Sequence, residues 1–352
     1  MIDLDDEGLI RAGDPSQILA TIGALGEHCR EGYRLGLDAS PVPSGEGVTS
    51  VAFCGMGGSA IAGDVVRALY SDRLRIPVVV VRDAELPEFV GPHTLVLASS
   101  YSGSTVESLA CFEEAVARGA RVVTLTSGGE LLRRSDELDL PCVRLPGGFM
   151  PRAALGYITL GAIGVLEAVG LVPPMSGDLE EALGELAAQE ARCAPGVPAS
   201  VNPAKALAAE IDDRVPVIWG AEGIGAVAAS RWKAQCNENA KVPAFAGSLP
   251  ELDHNEVVGW SEGQGRRFFV IALRQDSEQP DVAARFPLSM QIASDAGAEV
   301  REVWSGGRSG LARFLTLAVT GDYTSTYLAI ARGVDPAPID AIARLKQALA
   351  DA

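Results

Sequence analysis

The stretch Val51-Ala-Phe-Cys-Gly-Met-Gly-Gly-Ser-Ala60 joins a short apolar run to a glycine-rich turn. The run has the length and composition of a buried strand, and helical spacing follows the turn to about Tyr70. Further buried strands are predicted at residues 77–82, 94–99 and 121–126, with helices between them. Continuous apolar strands that alternate with helices indicate a parallel sheet covered on both faces. The stretch therefore predicts a doubly wound α/β domain.

The same pattern recurs in the second half of the chain. Residues 215–225 again join a strand to a glycine turn and a helix, residues 268–273 match the third strand, and residues 293–307 echo residues 117–129. The chain is thus predicted to be an internal duplication of a doubly wound, parallel-sheet α/β unit. Its predicted parts are an N-terminal helical segment and linker at 1–45, a first domain at 46–175, a helical linker at 176–205 and a second domain at 206–352.

Composition limits the partners of this fold. The formal net charge of −17 argues against nucleic acid and anionic membranes, because both attract basic surfaces. Six scattered cysteines and only three dispersed histidines predict a reduced, cytoplasmic protein without a metal centre. Residues 1–7 are acidic and have neither the basic nor the apolar region of a signal peptide, so export is not expected. Helical spacing predicts a helix from about residue 14 to 36, and the apolar run 154–172 contains Glu167 and four glycines, which favours a buried helix over a membrane span.

Two loops of the first domain are rich in Gly, Ser and Thr and open helices. Ser59 follows the first strand, while Ser100, Ser102 and Thr105 follow the third. Because parallel strands end at one edge of the sheet, these hydroxyls and two helix N-termini are expected to converge on the phosphate of a small molecule. Arg152 opens the long apolar helix and would neutralise a phosphate or an oxyanion. Helix capping without a ligand, and a surface role for Arg152, are the alternatives.

The glycine turn also fits a relaxed dinucleotide-binding fingerprint. Gly55, Gly57 and Ala60 occupy its small positions, and Asp83 lies about twenty residues further on. A second hydroxyl loop is not required by a dinucleotide site but suits a monophosphate clamp. The monophosphate interpretation is therefore favoured.

In the second domain, ionisable residues concentrate between residues 237 and 260. Only four of the 29 basic residues are lysines, so Lys241 in this stretch indicates a need for a compact charge or, alternatively, only a solvated helix end. Glu238 stands between two asparagines that are expected to orient it as a proton-abstracting base. His254 lies between Asp253 and Asn255-Glu256, and a neighbouring carboxylate is expected to hold its tautomer, although a loop histidine without a role is the alternative. Two further carboxylates are interpreted as supporting or surface groups: Glu251 and Glu256.

Five motifs in this order resemble the bifunctional phosphoglucose/phosphomannose isomerases, which are built from two sugar isomerase (SIS) domains. They are Gly55-Met-Gly-Gly-Ser-Ala, Ser100-Tyr-Ser-Gly-Ser-Thr, Pro151-Arg-Ala-Ala, Asn237-Glu-Asn-Ala-Lys with Pro-Ala-Phe, and Pro250-Glu-Leu-Asp-His-Asn-Glu. The resemblance extends from Asp14-Pro-Ser to the terminal Ile342-Ala-Arg-Leu-Lys, and so covers nearly the whole chain.

The resemblance implies a metal-independent aldose–ketose isomerase without a cofactor. Glu238 would move a proton between C1 and C2 of the sugar, and Arg152 would stabilise the cis-enediolate. His254 and Lys346 would open the sugar ring. A homodimer is implied, in which His254 reaches the site of the other subunit. The residues implied to bind the sugar phosphate are Gly58, Ser59, Ser100, Ser102 and Thr105.

Two departures from the family pattern leave the substrate open. The phosphate loop reads Ser-Gly-Ser-Thr-Val-Glu107 where members often have Ser-Gly-Asn-Thr-Glu-Glu, and Ala337 stands where many relatives have threonine. The second change leaves open which of the glucose and mannose epimers is accepted. The alternatives to this isomerase are a phosphosugar sensor without catalysis and an isomerase for a different phosphosugar.

Overall fold

A computed structural model describes residues 2–260 and 263–350. The chain divides into two compact units. The first unit comprises Ala24–Gly184 and Arg308–Ala312, and the second unit comprises Met1–Gly23, Glu185–Gly307 and Arg313–Ala352. Each unit contains one parallel sheet with helices, which confirms the predicted α/β fold class. The predicted domain boundaries stay predictions.

The helices and strands are numbered in chain order. The helices are α1 (Glu7–Gly13), α2 (Ile18–Ile22), α3 (Leu25–Leu37), α4 (Gly58–Leu69), α5 (Val106–Ala117), α6 (Gly129–Glu137), α7 (Leu155–Val169), α8 (Ser176–Cys193), α9 (Pro203–Ile211), α10 (Ile224–Glu238), α11 (Pro280–Ala283), α12 (Arg285–Asp295), α13 (Gly310–Ala331) and α14 (Asp340–Ala350). The strands are β1 (Ser50–Cys54), β2 (Val78–Val81), β3 (Thr94–Ser99), β4 (Arg121–Thr126), β5 (Cys142–Arg144), β6 (Val215–Ala221), β7 (Phe245–Leu249), β8 (Phe268–Arg274) and β9 (Glu299–Trp304).

The sheet of the first unit has the strand order β2-β1-β3-β4-β5, and all of its neighbouring strands are parallel. The predicted strands at 94–99 and 121–126 are confirmed at both ends. The order of the strands reverses between β1 and β3, and ligands of open α/β sheets bind at such a reversal. Cys54 pairs with Ala98 in this register, so the loops after β1 and β3 begin at the same level.

The sheet of the second unit has the order β7-β6-β8-β9 and is also parallel. The sequence did not predict β7, which lies inside the stretch 237–260. Its residues Phe-Ala-Gly-Ser-Leu include no β-branched side chain, and Pro243 and Pro250 flank it. Pairing with β6 makes it an edge strand despite this weak local preference.

Two predicted helices have different outcomes. The helix expected at residues 14–36 is two helices, because α2 ends where Gly23 donates its N–H to the Leu19 carbonyl and α3 begins at Leu25. The apolar run 154–172 is the buried helix α7, as predicted. Its Glu167 accepts hydrogen bonds from the Tyr33 hydroxyl at 2.5 Å and the Met175 N–H at 3.0 Å. Among the described residues, no helix has both the length and the apolar character needed to cross a membrane.

Helices α3 and α7 pack backbone against backbone. A Cβ added at Gly32 of α3 would lie 2.7 Å from the Tyr157 Cα and 2.9 Å from the Gly156 carbonyl oxygen of α7. Glycine on both helices therefore permits a separation that larger residues exclude. This contact holds α7, and the turn that precedes it, against the first unit.

We expect Gly32→Ala to lower the stability of the protein by about 1–3 kcal/mol, because the new methyl group overpacks the α3–α7 contact. The measurement is the midpoint of urea unfolding followed by circular dichroism. Gly184→Ala is the matched control, since an added Cβ there meets nothing within 4 Å. That control is expected to be neutral or stabilising by up to ~1 kcal/mol. Equal midpoints for Gly32→Ala and wild type would contradict the predicted contact.

Candidate active site

Ser59 joins the two hydroxyl loops of the first unit. It is the second residue of α4, and its Oγ accepts a hydrogen bond from the Tyr101 N–H at 3.2 Å. Tyr101 belongs to the loop that follows β3. The two loops are therefore in direct contact at the edge where the strand order reverses, as the sequence predicted.

The loop after β3 is closed by its own hydroxyls. Ser100 Oγ lies 2.9 Å from Thr105 Oγ1 and also accepts the Gly103 N–H at 3.1 Å. The Ser102 side chain is exposed, and its Oγ accepts the Ser104 N–H at 3.4 Å. Ser100 and Thr105 thus shape the loop, while Ser102 presents a hydroxyl to solvent.

Both loops open helices without a side-chain cap. Gly57 precedes α4 and has no side chain that could cap it. Thr105 precedes α5, but its hydroxyl contacts Ser100 and does not cap the helix. The first N–H groups of a helix are hydrogen-bond donors at the positive end of its dipole. Two such helix starts and four hydroxyls form an arrangement suited to an anion such as phosphate. We call Gly58, Ser59, Ser100, Ser102 and Thr105 the phosphate cradle.

Arg152 lies against the phosphate cradle. It belongs to a turn of 3-10 helix, Pro151–Ala153, and is 4% exposed, which is inconsistent with a surface arginine. A Cβ added at Gly58 would lie 3.0 Å from the Pro151 carbonyl oxygen and 3.3 Å from the Arg152 Cα. Glycine is therefore required where the cradle meets this turn. The structure brings together all the site residues predicted for the first unit.

Sequence reasoning missed Tyr101 and Ser127, which support the cradle. The Tyr101 hydroxyl donates to the Pro146 carbonyl at 2.8 Å and accepts the Phe149 N–H at 3.1 Å. Ser127 Oγ donates to the Tyr101 carbonyl at 2.6 Å. Tyr101 thereby connects the hydroxyl loop to the segment that leads to Arg152. The one feature of the sequence that could have indicated this role is that Tyr101 is an aromatic residue in a loop of small residues.

Glu238 is the last residue of α10 in the second unit, and it is half-buried. Asn237 Oδ1 accepts the Ala244 N–H at 3.0 Å, and the Asn239 amide donates to Ser325 Oγ at 3.0 Å. Both asparagines therefore fix the end of the helix. The sequence expected them to orient the Glu238 carboxylate directly.

Lys241 stands just beyond this helix end and is exposed. Its backbone is left-handed, with φ +55°. Its ammonium donates to the Glu238 carbonyl at 2.6 Å and to the Pro336 carbonyl at 3.0 Å. Lys241 thus lies beyond the end of the helix, where backbone carbonyls hold its ammonium.

His254 is exposed and ends a short turn of 3-10 helix, Glu251–His254, after β7. Asp253 is one of the neighbouring carboxylates that were expected to hold the His254 tautomer, and its carboxylate accepts from Arg285 at 3.1 Å and from Ser289 at 2.6 Å. These bonds fix the turn on α12. Asn255 donates to Glu251 Oε1 at 2.8 Å. The Glu256 carboxyl lies over β7 at Gly247, and partial burial raises its pKa.

Glu238 and His254 lie at opposite ends of the strands of the second sheet. Helix α10 begins just after the carboxyl end of β6. Strand β7 ends at the same level, since its Leu249 pairs with Ala221 of β6, and His254 lies five residues after Leu249. Glu238 is at the other end of this 15-residue helix, on the order of 20 Å away. The structure therefore does not bring these two residues of one chain together.

Lys346 lies on α14, which is exposed at every position from 340 to 349. Within the described residues, no hydrogen bond or ion pair joins Lys346 to Glu238. Ala337, in the segment before α14, donates its N–H to Asp335 Oδ1 at 2.9 Å. No group of three or more His, Cys, Asp or Glu side chains within residues 2–260 and 263–350 is arranged to hold a metal ion.

In the second unit, an ion pair occupies the strand end that corresponds to the cradle. Arg274 ends β8, is 7% exposed, and donates to Glu278 at 2.9 Å. Glu278 Oε1 also accepts the Gln275 N–H at 2.7 Å. An internal carboxylate thus satisfies the donors at this edge. The two units differ in chemistry at equivalent positions.

The chain is similar in sequence to known proteins. A family model described as the bacterial phospho-glucose isomerase C-terminal SIS domain matches residues 200–349. A bifunctional phosphoglucose/phosphomannose isomerase from Caldicellulosiruptor bescii is 36% identical over 329 residues, which cover 93% of this chain and 97% of that protein. A relative of the same description from Aquifex aeolicus is 36% identical over 301 residues, or 85% of this chain and 90% of that protein.

The fold has solved counterparts. The crystal structure of a glucose-6-phosphate isomerase like protein from Thermus thermophilus aligns with a TM-score of 0.65 at 22% identity, over 99% of both chains. At this identity the likeness supports the fold alone. The two relatives at 36% identity cover 93% and 85% of this chain. The chain therefore belongs to the family of bifunctional phosphoglucose/phosphomannose isomerases.

Proposed function

We propose that the chain is an aldose–ketose isomerase that interconverts glucose 6-phosphate, mannose 6-phosphate or both with fructose 6-phosphate. The observation that carries this proposal is the phosphate cradle, in which two uncapped helix starts meet the hydroxyls of Ser59, Ser100 and Thr105 beside the buried Arg152. The family to which the chain belongs is named for this activity. The cradle would hold the phosphate common to all three sugars.

The proposed reaction transfers a proton between neighbouring carbons of the open-chain sugar. Glu238 removes a proton from C1 or C2 and returns it to the other carbon, while a hydroxyl proton moves between the two oxygens. The intermediate is a cis-enediolate, and a guanidinium such as that of Arg152 stabilises its negative oxygen. We assign opening of the sugar ring to His254 and Lys346. This route uses only side chains, so an excess of chelator should leave the rate unchanged.

We also propose a homodimer in which each site receives His254 from the other subunit. Within one chain, Glu238 and His254 are separated by about the length of α10, which far exceeds the length of a six-carbon sugar. This separation supports a site shared between two subunits. Three apolar side chains are exposed near the His254 turn: Val258 on the 3-10 helix Glu256–Trp260, and Leu288 and Ile292 on α12, which contacts that helix. Subunit interfaces commonly cover exposed apolar side chains of this kind. A cytoplasmic location fits the six cysteines, which are all free thiols.

The direct test is turnover of fructose 6-phosphate in excess chelator, with glucose 6-phosphate and mannose 6-phosphate quantified separately. We expect at least one of the two products from the wild-type protein. Glu238→Gln keeps the shape of the side chain but removes the base, so its kcat should fall by about 10²–10⁴-fold. Binding of fructose 6-phosphate by calorimetry should persist in this variant.

Three results would count against this assignment. Glu238→Gln with wild-type turnover would exclude Glu238 as the base. Phosphosugar binding without either product would favour the sensor, or an isomerase for a different phosphosugar. The absence of both binding and turnover would refute the proposal.

We expect Ser102→Ala combined with Thr105→Ala to weaken phosphosugar binding by about 10- to 100-fold, since two hydroxyl contacts to a charged phosphate are lost. The measurement is the Kd for fructose 6-phosphate and for inorganic phosphate. Ser71→Ala is the matched control, because Ser71 is an exposed residue beyond the far end of α4. Unchanged affinity in the double variant would show that the phosphate binds elsewhere.

The shared site predicts complementation between two inactive variants. When His254→Asn and Glu238→Gln chains are coexpressed, each mixed dimer should contain one site with both residues intact. Random pairing makes half of the dimers mixed, so the preparation should recover about a quarter of wild-type activity. Differently tagged chains would allow the mixed dimers to be isolated. Mixed dimers with no more activity than either parent, or a chain that sediments as a monomer, would contradict the shared site.

A further inference from the structure

Lys241 has no role in either phosphate binding or proton transfer as proposed above. Its backbone has φ +55°, a left-handed conformation that favours glycine over any residue with a Cβ. Helices commonly end on glycine in this conformation. A lysine at this position indicates that its side chain supplies something that glycine lacks.

The Lys241 ammonium contacts three backbone carbonyls. Its Nζ donates to the carbonyl oxygens of Glu238 at 2.6 Å, Pro336 at 3.0 Å and Asn239 at 3.4 Å. An ammonium has three N–H donors arranged around one atom, whereas a guanidinium spreads its donors in a plane. Three convergent carbonyls therefore favour lysine, in a chain where only four of 29 basic residues are lysines.

These contacts join two segments of the second unit. Glu238 ends α10, while Pro336 precedes Ala337 in the turn that Asp335 closes through its bond to the Ala337 N–H. The positive charge also lies at the negative end of the α10 dipole, where it stabilises the last turn. The ammonium thus fixes the backbone of the proposed base relative to the turn that leads to α14.

We propose that Lys241 is a positioning residue for proton transfer. By holding the Glu238 carbonyl, it keeps the Glu238 carboxylate at a fixed place relative to the carbon atoms of the sugar. Lys241 itself does not contact the substrate. A misplacement of a reacting group by about 1 Å can cost about 100-fold in rate, so a loose helix end would be sufficient to impair catalysis. This inference rests on the proposed function of Glu238.

Lys241→Gly separates positioning from stability. Glycine relieves the left-handed backbone, and this gain offsets the loss of the ammonium's hydrogen bonds, so the thermal midpoint should stay close to that of the wild type. We nevertheless expect kcat for fructose 6-phosphate to fall about 100-fold, with KM within about threefold of wild type, because the phosphate cradle is unchanged. Lys241→Met, which keeps the stem without donors, should show the same loss of kcat.

Lys233→Met is the matched control, since it removes an exposed ammonium from the same helix and should keep wild-type kcat. If Lys241→Gly turns over at the wild-type rate while Glu238→Gln is inactive, the inference is wrong and the proposed function stands. A lower thermal midpoint that accompanies the loss of kcat in Lys241→Gly would assign Lys241 to stability and would also overturn the inference. A wild-type protein without turnover would refute the proposed function itself.

Discussion

Cys54 pairs with Ala98 in the parallel ladder between β1 and β3, and this register fixes where the hydroxyl groups of the first unit lie. Because both strands end at the same level, the turn after β1 and the loop after β3 begin side by side, and the Tyr101 N–H reaches Ser59 Oγ. Two helices then begin at this edge with their N–H groups unmet by side-chain caps. A shift of one residue would turn the side chains of a strand to the opposite face and separate the two loops. The cradle is thus a consequence of strand pairing.

The same edge has a different use in the second unit. Arg274 stacks on the rings of Phe286 and Trp304, with its guanidinium carbon 4.2 and 4.7 Å from their centroids, and pairs with Glu278. Removing two charges from water is costly, and their mutual attraction and added hydrogen bonds offset that cost. Here the Gln275 N–H supplies such a bond. An internal carboxylate therefore replaces an external anion at this strand end, while the proposed base stands at the far end of α10. The two units share a parallel sheet with helices but differ in the chemistry at this strand end.

The sequence was informative wherever local pattern and tertiary structure agree. Strands β3 and β4 are continuous apolar runs between glycine-rich turns, so their predicted bounds match the structure. Strand β7 has a weak local signal and exists because β6 offers it a partner. A neighbouring carboxylate was expected to hold His254, yet Asp253 pairs with Arg285 and Ser289, more than thirty residues further along the chain. The types of the side chains suggest candidate site residues, but the sequence does not show which polar neighbours are recruited by distant elements.

A base on the last residue of a helix presents a physical difficulty, because helix ends fray and the last carbonyls have no partner within the helix. In the second unit the end of α10 is anchored to α13 at two levels. Asp322 accepts from the Arg231 guanidinium at 2.6 Å and from the Gln235 amide at 2.9 Å, and one turn later Asn239 donates to Ser325. Loss of one partner from a buried ion pair costs about 3–5 kcal/mol, so this anchor resists local opening far more than a surface pair would. Catalytic geometry requires positions held to within about 0.5 Å by surrounding bonds. The buried polar network between α10 and α13 supports the helix on the side that precedes Glu238, and it gives partners to Asp322 and Ser325 of α13 in the interior of the second unit.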